Sequence, residues 1–227
     1  MPKLDAAFLR SENFRQRFIS SLVMGPVTLV AVYFGGWIFT LFITLVMLLA
    51  LREWLQLASH QKKRGLWIAS GFLYTAVAGL SLLYLRQQPF GLELVLYVIA
   101  VVWGTDIGGY MAGRMIGGPK LAPKISPNKT WAGLLGGMIL AALLGYGVLA
   151  AFGTQKVGGG IIIAMVMACV AQAGDLFESH LKRRSGIKES GNLIPGHGGV
   201  LDRIDGLVFA SVFFVLFQAA YKAVMQW

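Results

Sequence analysis

Charged residues are scarce in this chain. Asp, Glu, Lys and Arg make up 13% of its 227 residues and only 10 residues are acidic, whereas 56% are hydrophobic. This is the composition of an integral membrane protein and excludes an ordinary soluble domain. The formal net charge of +10 is then explained by basic loops that fix membrane topology and face anionic lipid, and not by nucleic-acid binding.

Cysteine is almost absent. Cys169 is the single cysteine and lies inside an apolar run, which excludes a disulfide within the chain and a cysteine zinc site. Internal repeats, low-complexity tracts and linkers are also missing, so residues 1–227 are predicted to form one membrane domain. No cleavable signal peptide is expected, because the apolar stretch that follows the basic N-terminal residues continues far past signal length.

Long hydrophobic runs are what the sequence has in abundance, and their lengths predict an all-α polytopic membrane protein. Residues 1–17 are predicted to be a cytoplasmic tail or a short helix on the membrane surface. Seven transmembrane helices follow, at about 18–34, 37–58, 66–85, 91–113, 131–152, 158–180 and 202–225.

The distribution of basic residues predicts the orientation of these helices. With the N-terminus in the cytoplasm, 17 of the 20 Lys and Arg residues lie on the cytoplasmic side, and only Arg86, Lys156 and Lys222 lie outside. The two loops that are richest in charge and glycine, 114–130 and 181–201, then share the cytoplasmic face.

The segment 179–205 carries five Lys or Arg residues, two histidines, three carboxylates and five glycines. Asp202 and Asp205 stand at i, i+3 and are expected to project from one face of a first helical turn, where two carboxylates can hold Mg²⁺. Helix capping is the alternative for these aspartates. The glycines Gly196, Gly198 and Gly199 suit either a phosphate-binding loop or a tight turn, and His197 does not decide between the two.

One carboxylate late in the fourth predicted span and two late in the sixth lie where lipid would not tolerate them. Asp106, Asp175 and Glu178 are therefore expected to face a polar cavity or a charged partner. The alternative is a structural ion pair, for instance with Arg114 or Lys182.

The loop 114–130 is the second candidate for phosphate binding. Its three prolines and several glycines shape it, and Lys124, Ser126, Lys129 and Thr130 offer cations and hydroxyls that can hold a phosphate. These lysines are also explained by topology alone.

The motif Ser179-x-x-Lys182-Arg183, with Lys188, Gly191, the run Pro195-Gly196-His197-Gly198-Gly199 and Asp202-Arg203-x-Asp205, closely resembles the hallmark of the phosphatidate cytidylyltransferases. The segments WGTDIGGYMAGR, ISPNKTWAG and GDLFES are similar to companion blocks of that family. The resemblance is dense over 103–205, the expected catalytic core. Glu189 stands where the family usually has Asp, and Ala132 stands where it often has an acidic residue.

The resemblance implies the reaction of CTP with phosphatidate to give CDP-diacylglycerol and pyrophosphate, at the cytoplasmic face of a bacterial inner membrane. It implies Mg²⁺ as cofactor, with a second cation as an option, and leaves room for a homodimer. The metal ligands expected on this basis are Asp175, Asp202 and Asp205, with Asp106 and Glu178 as additional candidates. Lys182 and Arg183 are expected to be catalytic together with the three aspartates, and the substrate-binding residues are expected to be Lys188, His197, Gly198, Gly199, Arg203, Ser126, Lys129 and Thr130.

Two other classes of protein compete with this interpretation. A transporter or cation channel would use Asp106 and Asp175 as ion sites but leaves the phosphate-type loop unexplained. The CDP-alcohol phosphotransferases need an Asp-Gly-x-x-Ala-Arg run with further aspartates downstream. Here Asp205-Gly206 is followed by Leu-Val-Phe-Ala, so that pattern fails.

The predicted topology can be tested by labelling single cysteines in a Cys169→Ser background. Cysteines that replace Lys62, Lys120 or Gly191 should react with an impermeant thiol reagent only from the cytoplasmic side, and one that replaces Lys156 only from outside. Labelling of the Gly191 position from outside would contradict the seven-span prediction.

Overall fold

The computed structural model describes residues 12–59, 61–154, 157–187, 190–191, 193–194 and 198–225. Seven helices and one two-stranded hairpin make up this described part of the chain. In order, they are α1 (Glu12–Phe34), α2 (Gly36–Ser59), α3 (Arg64–Gln87), α4 (Gly91–Met115), β1 (Lys120–Ala122), β2 (Ser126–Thr130), α5 (Trp131–Ala151), α6 (Val157–Arg184) and α7 (Leu201–Met225).

The helical fold class is confirmed. Five helices, α2 to α6, are long and apolar enough to cross a membrane. In α1, the apolar part Ile19–Phe34 is shorter. The helix α1 also begins at Glu12 and runs without a break through the boundary predicted at residue 17, while residues 1–11 lie outside the described part of the chain.

The break between α1 and α2 occurs at the predicted glycine pair. Gly35 and Gly36 have φ angles of 62° and 50°, which glycine adopts without steric cost. The last carbonyls of α1 are satisfied by Arg86 of α3, whose Nε donates to Val32 O at 3.0 Å and whose second guanidinium nitrogen donates to Tyr33 O at 3.2 Å. Arg86 thus caps α1 and ties it to α3.

The helices α4 and α5 pack with their backbones almost in contact, because glycines face each other along both. A Cβ atom at Gly104 would lie 2.8 Å from Ala141 Cα, and one at Gly108 would overlap Gly136 O. Small residues allow this approach in membrane helices, where dispersion forces rather than water drive association. The pairing fixes Asp106 of α4 relative to the hairpin that joins the two helices.

That hairpin is a departure from the purely helical prediction. β1 and β2 pair antiparallel, with Lys120 opposite Thr130 and Ala122 opposite Ser126. The prolines of this segment disfavour helix, and a short hairpin can satisfy backbone groups that a loop would leave unpaired. Thr130 then ends the strand and begins α5, since its hydroxyl oxygen accepts a hydrogen bond from Gly133 N at 3.0 Å.

The helix α6 continues to Arg184, past the boundary predicted near residue 180. The predicted loop after span six therefore begins later, and Lys182 and Arg183 lie on the last helical turn. Basic residues in a last turn are favoured by the negative end of the helix dipole, which explains why the helix continues through them.

The packing of α4 on α5 predicts opposite effects for two glycine substitutions. Gly108→Ala should lower the free energy of unfolding by about 1–3 kcal/mol, because the new methyl group overlaps backbone that cannot move. Gly147→Ala on α5 is the matched control, since a Cβ atom there would meet no neighbouring helix or side chain within 4 Å. It should be neutral or stabilising. Thermal unfolding in detergent measures both, and equal midpoints for the two variants would contradict the close packing.

Candidate active site

Carboxylates and cations from four parts of the chain meet at one end of the helices. We call this group of side chains the carboxylate cluster. It contains two separate sets of ion pairs: Lys129 with Asp175, and Lys182 with both Glu178 and Asp202. Asp205 completes it, because it lies within electrostatic range of Asp175 and Glu178.

The hairpin is joined to α6 by the ion pair between Lys129 Nζ, on β2, and Asp175 Oδ2. Asp175 Oδ1 also accepts a hydrogen bond from Ser179 Oγ at 3.3 Å. A second link runs from Arg183 Nε to Ile125 O at 3.4 Å. The hairpin loop and the end of α6, which are about fifty residues apart in sequence, therefore form one surface.

Lys182 is the central cation of the second set. Its Nζ lies 2.6 Å from Asp202 Oδ1 and 3.2 Å from Glu178 Oε2. The side chains of Lys182, Asp202 and Glu178 are 11%, 7% and 0% exposed, so the attraction between them is screened less than at a protein surface. The close approach of α6 to α7 that permits this contact occurs at Gly174, where a Cβ atom would lie 2.6 Å from Asp205 O.

Asp202 holds the loop that precedes α7 as well as Lys182. Its Oδ2 accepts hydrogen bonds from Gly199 N at 2.9 Å and Ser190 N at 3.1 Å. The N–H group of Gly199, a candidate for phosphate binding, is thus engaged by the protein's own carboxylate. Gly198 has a φ of 79°, a left-handed conformation that favours glycine at this turn.

A buried residue that the sequence analysis missed anchors the same loop. Glu53 of α2 is 1% exposed, and its carboxylate accepts hydrogen bonds from Val200 N at 2.9 Å, Leu201 N at 2.8 Å and Ser190 Oγ at 3.1 Å. A carboxylate at a helix N-terminus satisfies unpaired N–H groups and offsets the helix dipole. The sequence signal was present: Glu53 is a lone acidic residue at the end of an apolar helix.

Glycine makes room for Glu53. A Cβ atom at Gly191 would lie 2.8 Å from Glu53 Oε1, and one at Gly199 would collide with Ser190 Oγ and the Glu53 carboxylate. These two glycines of the motif are therefore required for the loop to close over Glu53, whatever else they bind.

Asp106 reaches the carboxylate cluster from α4. It lies within electrostatic range of Asp175, Lys129 and Arg203. Among the described residues, no ion pair within 4.0 Å joins it to Arg114 or Lys182, the partners considered for a structural pair. Arg114 instead donates to Tyr110 Oη at 2.5 Å.

The remaining candidates have different surroundings. Lys188 and His197 lie outside the described residues, as does Gly196. Arg203 is exposed on the first turn of α7, and Ser126 is half-buried at the start of β2. Thr130 is buried, and its hydroxyl oxygen caps α5.

Oxygen donors suitable for Mg²⁺ are concentrated here. Glu178 Oε1 is buried and has no hydrogen-bond partner in the described part of the chain, and the Glu178 carboxyl group approaches that of Asp205. Two neighbouring buried carboxylates repel each other unless a proton or a cation lies between them. No group of three or more His, Cys, Asp or Glu side chains among the described residues is arranged to hold a metal ion by itself.

Comparison with known proteins identifies the kind of site. A family model described as "Cytidylyltransferase family" matches residues 15–78 and 58–221, which together span most of the chain. The chain belongs to the cytidylyltransferase family.

Curated members of this family are similar over nearly the full length. The phosphatidate cytidylyltransferase of Brucella suis is 38% identical over 258 residues, covering 92% of this chain and 94% of the relative. That of Rickettsia bellii is 34% identical, covering 91% and 92%. That of Haemophilus influenzae is 45% identical over 139 residues, covering 59% of this chain and 48% of the relative.

The ion pair between the hairpin and α6 predicts energetic coupling in this cytidylyltransferase. Lys129→Ala and Asp175→Ala should each destabilise the protein, and the double variant should lose less than the sum by about 1 kcal/mol, because either single change leaves one charge half-buried and alone. Thermal or denaturant unfolding measures the cycle.

The control cycle pairs Asp175→Ala with Lys124→Ala, since Lys124 is an exposed lysine on the same hairpin loop. That cycle should be additive. Additivity in both cycles would mean that the hairpin and α6 are not joined through Lys129.

Proposed function

We propose that this chain catalyses the reaction CTP + phosphatidate → CDP-diacylglycerol + pyrophosphate. The observation that carries the proposal is that the hairpin, the end of α6 and the start of α7 bring cations and carboxylates together, through Lys129–Asp175 and Lys182–Asp202. The curated relatives that bear the name phosphatidate cytidylyltransferase support the same substrates.

The reaction needs charge compensation more than it needs a base. A phosphate oxygen of phosphatidate attacks the α-phosphorus of CTP, and the bond from that phosphorus to the oxygen bridging the β-phosphorus breaks, so that pyrophosphate leaves. The attacking group is already an anion. The barrier is the repulsion between two phosphate groups, which preorganised cations lower in a site that excludes water.

The described residues are assigned to the two substrates by position, and Lys188 and His197 by their place in the sequence motif. Lys182, Arg183, Lys188 and Arg203 hold the triphosphate of CTP and the leaving pyrophosphate, together with the loop of His197, Gly198 and Gly199. Lys129 and Ser126 hold the phosphate of phosphatidate on the hairpin, and Thr130 shapes that end by capping α5. Lys129 and Lys182 are now paired with carboxylates, so substrate phosphates compete with Asp175 and Asp202 for them.

The donors present fit Mg²⁺. The ion prefers carboxylate oxygens and commonly takes only one or two from the protein, the rest coming from water and substrate phosphates. One or two of Asp175, Asp202 and Asp205 would hold it, with Glu178 and Asp106 beside them, and the unpartnered Glu178 Oε1 supports a cation at this place. When bound, the ion would supply neutralisation of the phosphate charges and alignment of the substrates.

The proposal includes a topology. α1 and α7 cross the membrane together with the five helices α2 to α6, the N-terminus is cytoplasmic, and the carboxylate cluster faces the cytoplasm, where CTP is available. The relatives are bacterial, which favours the inner membrane. Residues 1–227 then form one membrane domain whose catalytic core, 103–205, is completed by Glu53 from outside that range.

The experiment that tests this function uses the purified protein with α-³²P-labelled CTP, phosphatidate and Mg²⁺. A label that becomes extractable into organic solvent, together with release of unlabelled pyrophosphate, is the expected result. Folded protein that gives no lipid-soluble label would overturn the assignment.

Asp205→Asn should lower kcat at least about a hundredfold, because losing a carboxylate that would hold Mg²⁺ against the reacting phosphates removes roughly 3 kcal/mol of transition-state stabilisation. The protein should keep its helical content, measured by circular dichroism. Glu93→Gln is the matched control, a buried acidic residue on α4 bonded to Thr154, and should retain most activity. Near-normal turnover of the Asp205→Asn variant would contradict a catalytic role for Asp205.

A further inference from the structure

A cavity of about 1390 Å³ opens between α2, α3, α6 and α7, apart from the carboxylate cluster. Leu66, Leu73 and Val77 of α3 line one wall, and Val212 and Leu216 of α7 line the opposite wall. Pockets for small molecules commonly measure about 300–1,000 Å³. The size and apolar lining of this cavity therefore suit a larger apolar ligand, such as acyl chains.

The mouth of the cavity is cationic. Lys62 and Lys63, in the turn between α2 and α3, and Arg184, at the end of α6, all line it. The two lysines are exposed, and the Arg184 guanidinium lies 6.0 Å from the centroid of the Trp67 ring. Charged groups at the ends of membrane helices lie at the level of the lipid headgroups.

The mouth is also fixed in shape. Gln61 Nε2 donates to Ser185 Oγ at 2.7 Å, which ties the α2–α3 turn to the end of α6. Trp54 Nε1 donates to Trp67 O at 2.8 Å, which fixes the backbone of Trp67 beside the cavity. An apolar lining with three cations at its entrance is complementary to a lipid that carries a negative headgroup.

The cavity lies on a different face of α6 from the ion pairs. Val170, Phe177 and Leu181 point to the cavity, whereas Asp175 and Lys182 hold the carboxylate cluster. A phosphate at the mouth of the cavity is therefore separated by the body of α6 from Lys129, the cation assigned to the reacting lipid.

Aromatic side chains lie between the cavity and the carboxylate cluster. Tyr74 lines the cavity, stacks on Trp54 with ring centroids 4.8 Å apart, and lies within electrostatic range of Asp205 and Glu178. Tyr74 therefore lies between the cavity and the carboxylate cluster.

We propose that this cavity binds an anionic glycerophospholipid of the bilayer as a non-reacting ligand, with acyl chains between α3 and α7 and the phosphate at Lys62, Lys63 and Arg184. The charge of the mouth selects the anionic headgroup, and the apolar walls select the chains. This site is separate from the proposed reaction and does not depend on it.

The test uses tryptophan fluorescence in the full chain. Trp37, Trp103, Trp131 and Trp227 are replaced by Phe, so that Trp54 and Trp67, both at the cavity, remain. The variant is placed in phosphatidylcholine vesicles with increasing fractions of phosphatidylglycerol brominated on its acyl chains. Bromine quenches tryptophan at contact, so saturable quenching at a low mole fraction reports occupation of the cavity.

Charge variants decide the role of the mouth. Lys62→Gln with Lys63→Gln should weaken binding of phosphatidylglycerol about 25-fold, at about fivefold for each lysine near anionic lipid. The matched control, Lys120→Gln with Lys124→Gln, removes the same charge from exposed lysines on the hairpin and should leave quenching unchanged.

Two results would overturn the proposal. Equal quenching by brominated phosphatidylcholine and phosphatidylglycerol would mean that bulk lipid fills the cavity without selection. Saturable quenching by brominated phosphatidate but not by phosphatidylglycerol would assign the cavity to the reacting lipid. If the Trp variant fails to fold, thermal unfolding of the unaltered chain decides instead: phosphatidylglycerol should raise the midpoint above that in phosphatidylcholine, and equal midpoints would reject the site.

Discussion

The rest of the site depends on the hydrogen bonds that the buried carboxylate of Glu53 accepts. It accepts hydrogen bonds from two backbone N–H groups at the start of α7 and from the Ser190 hydroxyl. A buried charge is tolerated only when such donors surround it, so α2, the glycine loop and α7 are held in one arrangement. Asp202 lies one residue beyond Leu201, and its position relative to Lys182 follows from that arrangement.

Charge compensation extends this constraint across the site. The ion pair of Lys182 with Asp202 joins α6 to α7, and the pair of Lys129 with Asp175 joins the hairpin to α6. Removing one partner of a buried pair leaves an uncompensated charge, so substitution of a single member of the cluster is expected to destabilise the protein. In the proposed function, the same cations exchange a carboxylate for a substrate phosphate when the substrates bind.

The sequence predicted the helices well, because each apolar run has to satisfy its own backbone in lipid. The family resemblance also predicted that Asp175, Lys182, Asp202 and Asp205 belong to one site. The sequence did not predict the pairing of Lys129 with Asp175, the hairpin, or the extension of α6 to Arg184. Those features depend on contacts between segments distant in sequence, which periodicity does not report.

Glu53 shows most clearly what could not be predicted from the sequence. Its position in an apolar helix marks it as unusual, yet its partners lie about 140 residues away and are mostly backbone groups, which no side-chain pattern reveals. The glycines Gly191 and Gly199 marked, in the sequence, the part of the loop that packs against Glu53. Gly199 was interpreted as a place for phosphate, and the structure shows the carboxylate of Glu53 against both glycines.

The most direct test of the account is amide hydrogen exchange at Val200 and Leu201 in a Glu53→Gln variant, compared with the unaltered chain. A glutamine amide keeps the size of the side chain but turns an NH₂ group toward one of two N–H donors, so one hydrogen bond is lost and another is weakened. We expect exchange at both amides to accelerate at least about tenfold, as loss of a hydrogen bond to a charged acceptor implies, while amides in α4 remain as protected as before. Unchanged protection of Val200 and Leu201 would contradict the claim that Glu53 holds the start of α7 and, through it, the carboxylate cluster.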